Sequence, residues 1–200
     1  MNRSSGIVMR LAHILSYVLH PAVLLLVTMA LLSLVQAKSS GRTLLDLGIL
    51  LLGLLPGLLY IAWKVRRGAV SHPHLLLKEE RRVVLPLFLL GFVGSLLLYK
   101  LTGAPDFIAE GMAIGLLEGV GLTIITRFWK ISLHAAVSMT CAAFLVPLSA
   151  ALAAGMGTAA LIVGWARLPV NHHTVAQVVG GWAYGFGVTL VLLALLTDYL

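Results

Sequence analysis

The chain has 200 residues, of which 60% are hydrophobic and only 10% charged, with a mean hydropathy of +1.03 and a formal net charge of +7. That composition excludes a water-soluble domain, and the long unalternating apolar runs exclude the strands of a membrane β-barrel. What remains is an all-α, polytopic bundle of transmembrane helices, because backbone groups in hydrocarbon must pair within their own segment and a crossing helix needs about 20 apolar residues.

Arg3 and Arg10 stand ahead of the first apolar run, 11–37, which His13, His20 and Pro21 interrupt. The opening resembles a signal peptide, with Val35-Gln36-Ala37 as a small-residue cleavage pattern, but the run is long and broken by histidine. It is expected to be retained, its amphipathic beginning lying along the interface while 22–37 inserts. Further runs at 44–63, 83–101, 107–125, 131–151, 155–168 and 174–196 predict six or seven spans, in one integral membrane domain covering 1–200. The single cysteine, Cys141, has no intrachain partner, so redox compartment is not readable.

Small residues four apart let membrane helices approach closely. Gly111, Gly115 and Gly119 have that spacing on the 107–125 run, and Gly181 and Gly185 have it on the last. Packing within one bundle is the expected use; a homodimer interface is the other. Glu110 and Glu118 share the same run and are expected to pair with basic side chains.

With seven crossings, the N-terminus, the 64–82 connection and the turns at 127–130 and 167–173 share one face. It carries Arg3, Arg10, Lys64, Arg66, Arg67, Lys78, Arg81, Arg82, Arg127, Lys130 and Arg167, against Lys38, Arg42 and Lys100 on the other. The positive-inside rule places the rich face in the cytoplasm, which puts the active site on the cytoplasmic side of the cell membrane. Lys64 to Arg67 and Arg127 read as marking the boundary with anionic lipid headgroups. His13 and His20 read as hydrogen-bonding between helices, and His72-Pro73-His74 as a solvated loop short of a metal-ligand set.

Two clusters concentrate solvated groups at the ends of hydrophobic runs: Lys130-Ile131-Ser132-Leu133-His134, and Arg167 followed by His173 and Gln177. Such groups beside hydrocarbon are a functional-site hypothesis by default. Arginine forks and lysine charges suit an anion with several oxygens, and histidine adds nucleophilic and acid–base capacity near neutral pH. The aspartate-rich motifs of metal-dependent phosphate chemistry are missing, Glu79-Glu80 being the only acidic doublet, so no metal or cofactor is expected and no nucleic acid is implied.

These residues resemble the type 2 phosphatidic acid phosphatase superfamily, the membrane lipid phosphate phosphatases, over about 78–185. The family's motifs are Lys-x6-Arg-Pro, Pro-Ser-Gly-His and Ser-Arg-x5-His-x3-Asp. Ala166-Arg167-x5-His173-x3-Gln177 keeps the Arg-to-His spacing of the third, with Ala for Ser and Gln for Asp. Ser132-Leu133-His134 keeps the Ser-x-His of the second, with Ile131 for Pro and Leu133 for Gly. In the first, Lys78 and Pro86 are correctly separated, but Leu85 stands where Arg belongs, with Arg81 or Arg82 as substitute.

The resemblance implies a metal-independent lipid phosphate or diphosphate phosphatase. His173 is then the nucleophile that forms a phosphohistidine, and His134 the acid and later base. Arg167, Lys78 and Arg81 or Arg82 bind phosphate oxygens, with Lys130 and Ser132 as further donors. Gln177 orients His173 as the family's Asp does but without its charge, which implies slower chemistry or a better leaving group and favours isoprenoid diphosphates. A catalytically inactive lipid-phosphate binder or flippase of the same fold is the alternative.

Overall fold

The computed structural model describes residues 3–37, 39–68, 78–170 and 172–198, and among these all regular structure is helical. The His72-Pro73-His74 segment, Asn171 and the side chain of Lys78 lie outside the described residues. The elements are α1 (Arg3–Val18), α2 (Pro21–Ala37), α3 (Ser40–Arg66), α4 (Lys78–Leu101), α5 (Asp106–Phe128), α6 (Leu133–Phe144), α7 (Ala150–Ala166) and α8 (Val175–Leu196).

Among the described residues, four helices are long and apolar enough to cross a bilayer, namely α3, α4 from Glu80 onward, α5 and α8. The α1–α2 pair, bent by 42°, is either a broken span, which would bring the number to five, or a re-entrant loop. Leu44, Leu59, Leu90, Leu101 and Leu195 are 63% to 82% exposed, so the outer faces are apolar as lipid contact requires. These are the features of an integral membrane protein.

Six or seven spans were expected, and the shortfall has a local cause. The 131–151 run does not continue as one helix: α6 stops at Phe144, residues 145–148 turn, and Ser149 caps α7 through its hydroxyl, which accepts from Leu152 N–H at 3.4 Å. Pro147 supplies no N–H and disfavours helix at Val146, so the break falls where proline dictates. At 12 residues α6 rises about 18 Å, well short of the roughly 30 Å hydrocarbon layer, and the 17 residues of α7 also fall short. Proline acts likewise at Pro21, the first residue of α2, where His20 Nδ1 accepts from Ala22 N–H at 3.2 Å and so caps the new helix.

The chain forms two compact units, one of Met1–Thr28 with Ile131–Leu200 and one of Met29–Lys130. In the Met29–Lys130 unit, α4 packs against both α3 and α5. The α3–α4 crossing is backbone-close: a Cβ on Gly91 would overlap the Gly53 carbonyl, and Ser95 Oγ donates to Ile49 O at 2.9 Å across it. Asp46, fully buried, accepts from Arg42 at 2.6 and 2.9 Å and from Ser33 Oγ at 2.6 Å. Arg42 also donates to Thr102 O at 2.6 Å, which ties the start of α3 to the end of α4. At the opposite end Lys64 meets Glu80 at 3.7 Å. The three helices therefore alternate in direction, and the ends bearing Lys64, Arg66, Arg67, Arg81, Arg82 and Arg127 gather on one side of this unit.

In the other unit the α6–α8 contact is the tightest. Gly181 lies against Ser132 O and Ala135, and a Cβ on Gly185 would overlap the Ala136 carbonyl. The spacing of Gly181 and Gly185 thus serves packing inside this unit. On α5, Gly119 abuts Leu89 whereas Gly115 meets nothing within 4 Å, so the Gly111–Gly115–Gly119 stripe is not one continuous contact. Trp182 Nε1 donates to Ala160 O at 3.1 Å, joining α8 to α7, and α1 packs on α7.

Candidate functional site

The unit containing α6, α7 and α8 collects polar groups at one end. Ser132 N–H donates to Gln177 O at 3.1 Å, which pins the first turn of α6 to the first turn of α8. His134, on the opening turn of α6, and His173, just ahead of α8, therefore occupy the same end of this unit. Arg167, the C-cap residue of α7, is 2% exposed, and a cation suits that end of a helix. Two helix N-termini and a buried guanidinium make an environment that favours an anion.

His172, His173, Thr174 and Gln177 make contacts that distinguish the two histidines. Gln177 Oε1 accepts from Thr174 N–H at 3.2 Å, and the Thr174 hydroxyl accepts from Gln177 N–H at 3.3 Å, forming a capping box. A backbone N–H only donates, so the oxygen of the amide is the atom facing it. The same Oε1 lies 3.1 Å from His173 Nδ1, which must then carry a proton and donate. In the neutral ring the lone pair is left on Nε2.

His172 has the opposite polarity. Arg167 Nη2 donates to His172 Nδ1 at 2.6 Å, and because arginine cannot accept, the His172 lone pair is engaged and its neutral ring carries hydrogen on Nε2. Two adjacent imidazoles indistinguishable in the sequence are thus distinguished by their partners. His172 braces Arg167, and the neutral His173 ring carries its lone pair on Nε2.

His134 is half-buried, with Nε2 itself shielded from solvent, and its ring meets His20 edge-on, centroids 5.3 Å apart at 85°. His20 also feels the charge of Arg167. The sequence pointed to His20 only as a helix-to-helix hydrogen bonder; its position immediately before the helix-breaking Pro21 was the available signal that its ring is held at a chain bend. Ser132 is fully buried, its hydroxyl accepting from Ala135 N–H at 3.4 Å as the N-cap of α6, so it starts the helix that carries His134.

The remaining predicted residues belong to the Met29–Lys130 unit. Arg81 is buried and Arg82 exposed on the first turns of α4, and together with Thr123 and Arg127 of α5 they line a cavity of about 310 Å³. Arg127 and Thr123 escaped notice as pocket residues because their partners lie a helix away in sequence. Lys130, half-buried, follows α5 in sequence, and Lys78 opens α4. Glu118 is buried and Glu110 half-buried on α5. Among the described residues, no three His, Cys, Asp or Glu side chains gather into a metal-binding group.

Comparison with protein-family models, curated proteins and solved structures yields no match to this chain.

Proposed function

We propose that this protein is a membrane-embedded, metal-independent lipid phosphatase of the type 2 phosphatidic acid phosphatase kind, built as a transmembrane helical bundle with α6 and α7 completing the six- or seven-helix core. The observation that carries this reading is His173 donating from Nδ1 to an amide oxygen that Thr174 N–H already orients, which leaves Nε2 as the basic nitrogen, while the neighbouring His172 holds the buried Arg167. That is the tautomer a histidine nucleophile needs.

In the proposed reaction His173 Nε2 attacks phosphorus, forming the N–P bond as the bond to the leaving oxygen breaks. His134 passes a proton to that oxygen, then takes one from the water that hydrolyses the phosphohistidine. Arg167, held by His172, neutralises charge on the transferring oxygens. The phosphate sits at the headgroup plane facing the cytoplasm, with the tail among apolar helices, and isoprenoid diphosphates are the favoured substrates because a good leaving group offsets a neutral Gln177. The same neutral Gln177 favours the second reading, a lipid-phosphate binder or flippase that does not turn over.

The test is phosphate release by detergent-solubilised protein offered isoprenyl diphosphates, isoprenyl monophosphates and phosphatidic acid, with and without chelator. Release that persists in chelator, with an acid-labile phosphoenzyme that disappears in His173→Ala, supports the phosphatase. Binding without release supports the second reading.

A further inference from the structure

We propose that His20, at the bend between α1 and α2, is a positioning residue for His134, holding that ring steady for proton transfer. The role deepens the phosphatase reading and rests on it for His134 as acid and base. It falls on a part of the chain to which that reading gives no task, since the likeness to the lipid phosphatases begins at about residue 78.

The backbone fixes His20 first. Its N–H donates to Tyr17 O at 3.3 Å, and its carbonyl accepts from Val23 and Leu24 N–H at 2.8 and 3.1 Å, so one residue ends α1 and opens α2. Pro21 beside it has the φ of a first helical residue already set by its ring. The side chain then acts as the N-cap: Nδ1 accepts from Ala22 N–H at 3.2 Å, which in the neutral ring leaves the hydrogen on Nε2. A ring with hydrogen on both nitrogens could not accept there, so the cap and the neutral ring go together. Behind the bend, α1 packs on α7, whose C-cap is Arg167, and the Arg167 charge reaches His20.

Capping alone does not call for histidine, because Asn, Asp and Ser are the strongly preferred N-caps. What histidine brings is a flat ring, and that ring meets His134 edge-on, with centroids 5.3 Å apart at 85°. Perpendicular contact at roughly 4.5–7 Å is an arrangement that aromatic rings favour. Both rings are half-buried, and all of these groups belong to one unit. The backbone under His134 is fixed by the Ser132 N–H to Gln177 O bond, and the His20 ring bounds the side chain that this backbone carries. A group that must first give a proton and then take one depends on an orientation kept through both steps.

Three substitutions in the full-length protein in detergent separate ring from cap. His20→Asn keeps an acceptor for Ala22 N–H and removes the ring; it is expected to hold Tm while lowering kcat for isoprenyl diphosphate about three- to tenfold, with KM within about twofold because Arg167 and His172 are untouched. His20→Phe removes the acceptor and restores a ring; it is expected to recover kcat to within about twofold of the parent while lowering Tm by about 2–4 °C. His13→Asn, an exposed position on α1, is expected to change neither. Nuclear magnetic resonance of labelled histidine rings supplies a readout that needs no turnover, with the His134 signal assigned by its loss in His134→Gln. One sharp His134 signal is expected in the parent and in His20→Phe, and a broadened or divided one in His20→Asn.

The role of His20 is overturned if His20→Asn matches the parent in either kcat or the His134 ring signal. It is equally overturned if His20→Phe does no better than His20→Asn, since the ring would then not be what His134 needs, or if His13→Asn causes the same loss. A parent protein that releases no phosphate sinks the phosphatase reading instead, and the ring signals alone then decide whether His20 positions His134.

Discussion

Replacing Gln177 by Glu probes the site through one atom. The substitution keeps side-chain length, so the oxygen that accepts from His173 Nδ1 at 3.1 Å and from Thr174 N–H at 3.2 Å stays in place while its charge changes. A hydrogen bond to a neutral acceptor contributes about 0.5–1.5 kcal/mol and one to a charged acceptor about 1.5–3 kcal/mol. The gain of about 1–1.5 kcal/mol makes the His173 ring more basic and stabilises the positive charge it acquires on attack. At about 1.4 kcal/mol per factor of ten, kcat for phosphate release rises about five- to tenfold. The same carboxylate, three residues into α8, strengthens the capping box and meets the positive end of the helix, worth about 0.3–1 kcal/mol, so Tm rises by about 1–4 °C. Steady-state phosphate release and thermal unfolding in the same detergent separate the two effects. A higher Tm with unchanged or lower kcat would refute the reasoning, because the charge would be reaching the helix and not the reacting nitrogen.

Three further outcomes are expected. Gly185→Ala places a methyl where the Ala136 carbonyl lies and lowers stability by about 1–3 kcal/mol, whereas Gly187→Ala, with nothing within 4 Å, is neutral or stabilising; thermal unfolding of the two variants side by side checks the α6–α8 crossing. Asp46→Ala strips the partner from Arg42 and Ser33 in a fully buried position and costs about 3–5 kcal/mol, read as a lowered unfolding midpoint, with Ser33→Ala much milder. His172→Ala retains phosphoenzyme formation but weakens substrate binding by about tenfold through a misplaced Arg167, while His173→Ala abolishes the phosphoenzyme; radiolabel trapping with a KM measurement distinguishes them.

The helices that hydropathy could see are those whose apolar run and helical run coincide. Runs 44–63, 83–101 and 107–125 lie within α3, α4 and α5, and run 174–196 matches α8 with its N-cap Thr174, because no proline or cap interrupts their pattern strongly enough to end them. Pro56 and Pro86 are even carried inside α3 and α4. Where hydropathy continued but backbone chemistry did not, at Pro147 and Ser149, the run was legible and the helix end was not.

The site shows a similar division. The spacing of His173 and Gln177 implied one face of a helix starting near Asn171; α8 instead begins at Val175 with Thr174 as its N-cap, so the two side chains meet at the cap and not along the helix. The division of labour between His172 and His173 depends on what Arg167 and Thr174 N–H touch, which no spacing encodes. His20 and Arg127 required the fold itself, since each meets its neighbours only after helices distant in sequence have packed.

The discontinuous unit has a bearing on how the molecule is made. Met1–Thr28 shares its unit with Ile131–Leu200, so the two parts come together only after the whole contiguous Met29–Lys130 unit between them has been synthesised. That central piece is contiguous in sequence and is synthesised before Ile131–Leu200. The packing of α1 on α7 therefore closes across a long intervening stretch of chain, which raises the entropic cost of that contact.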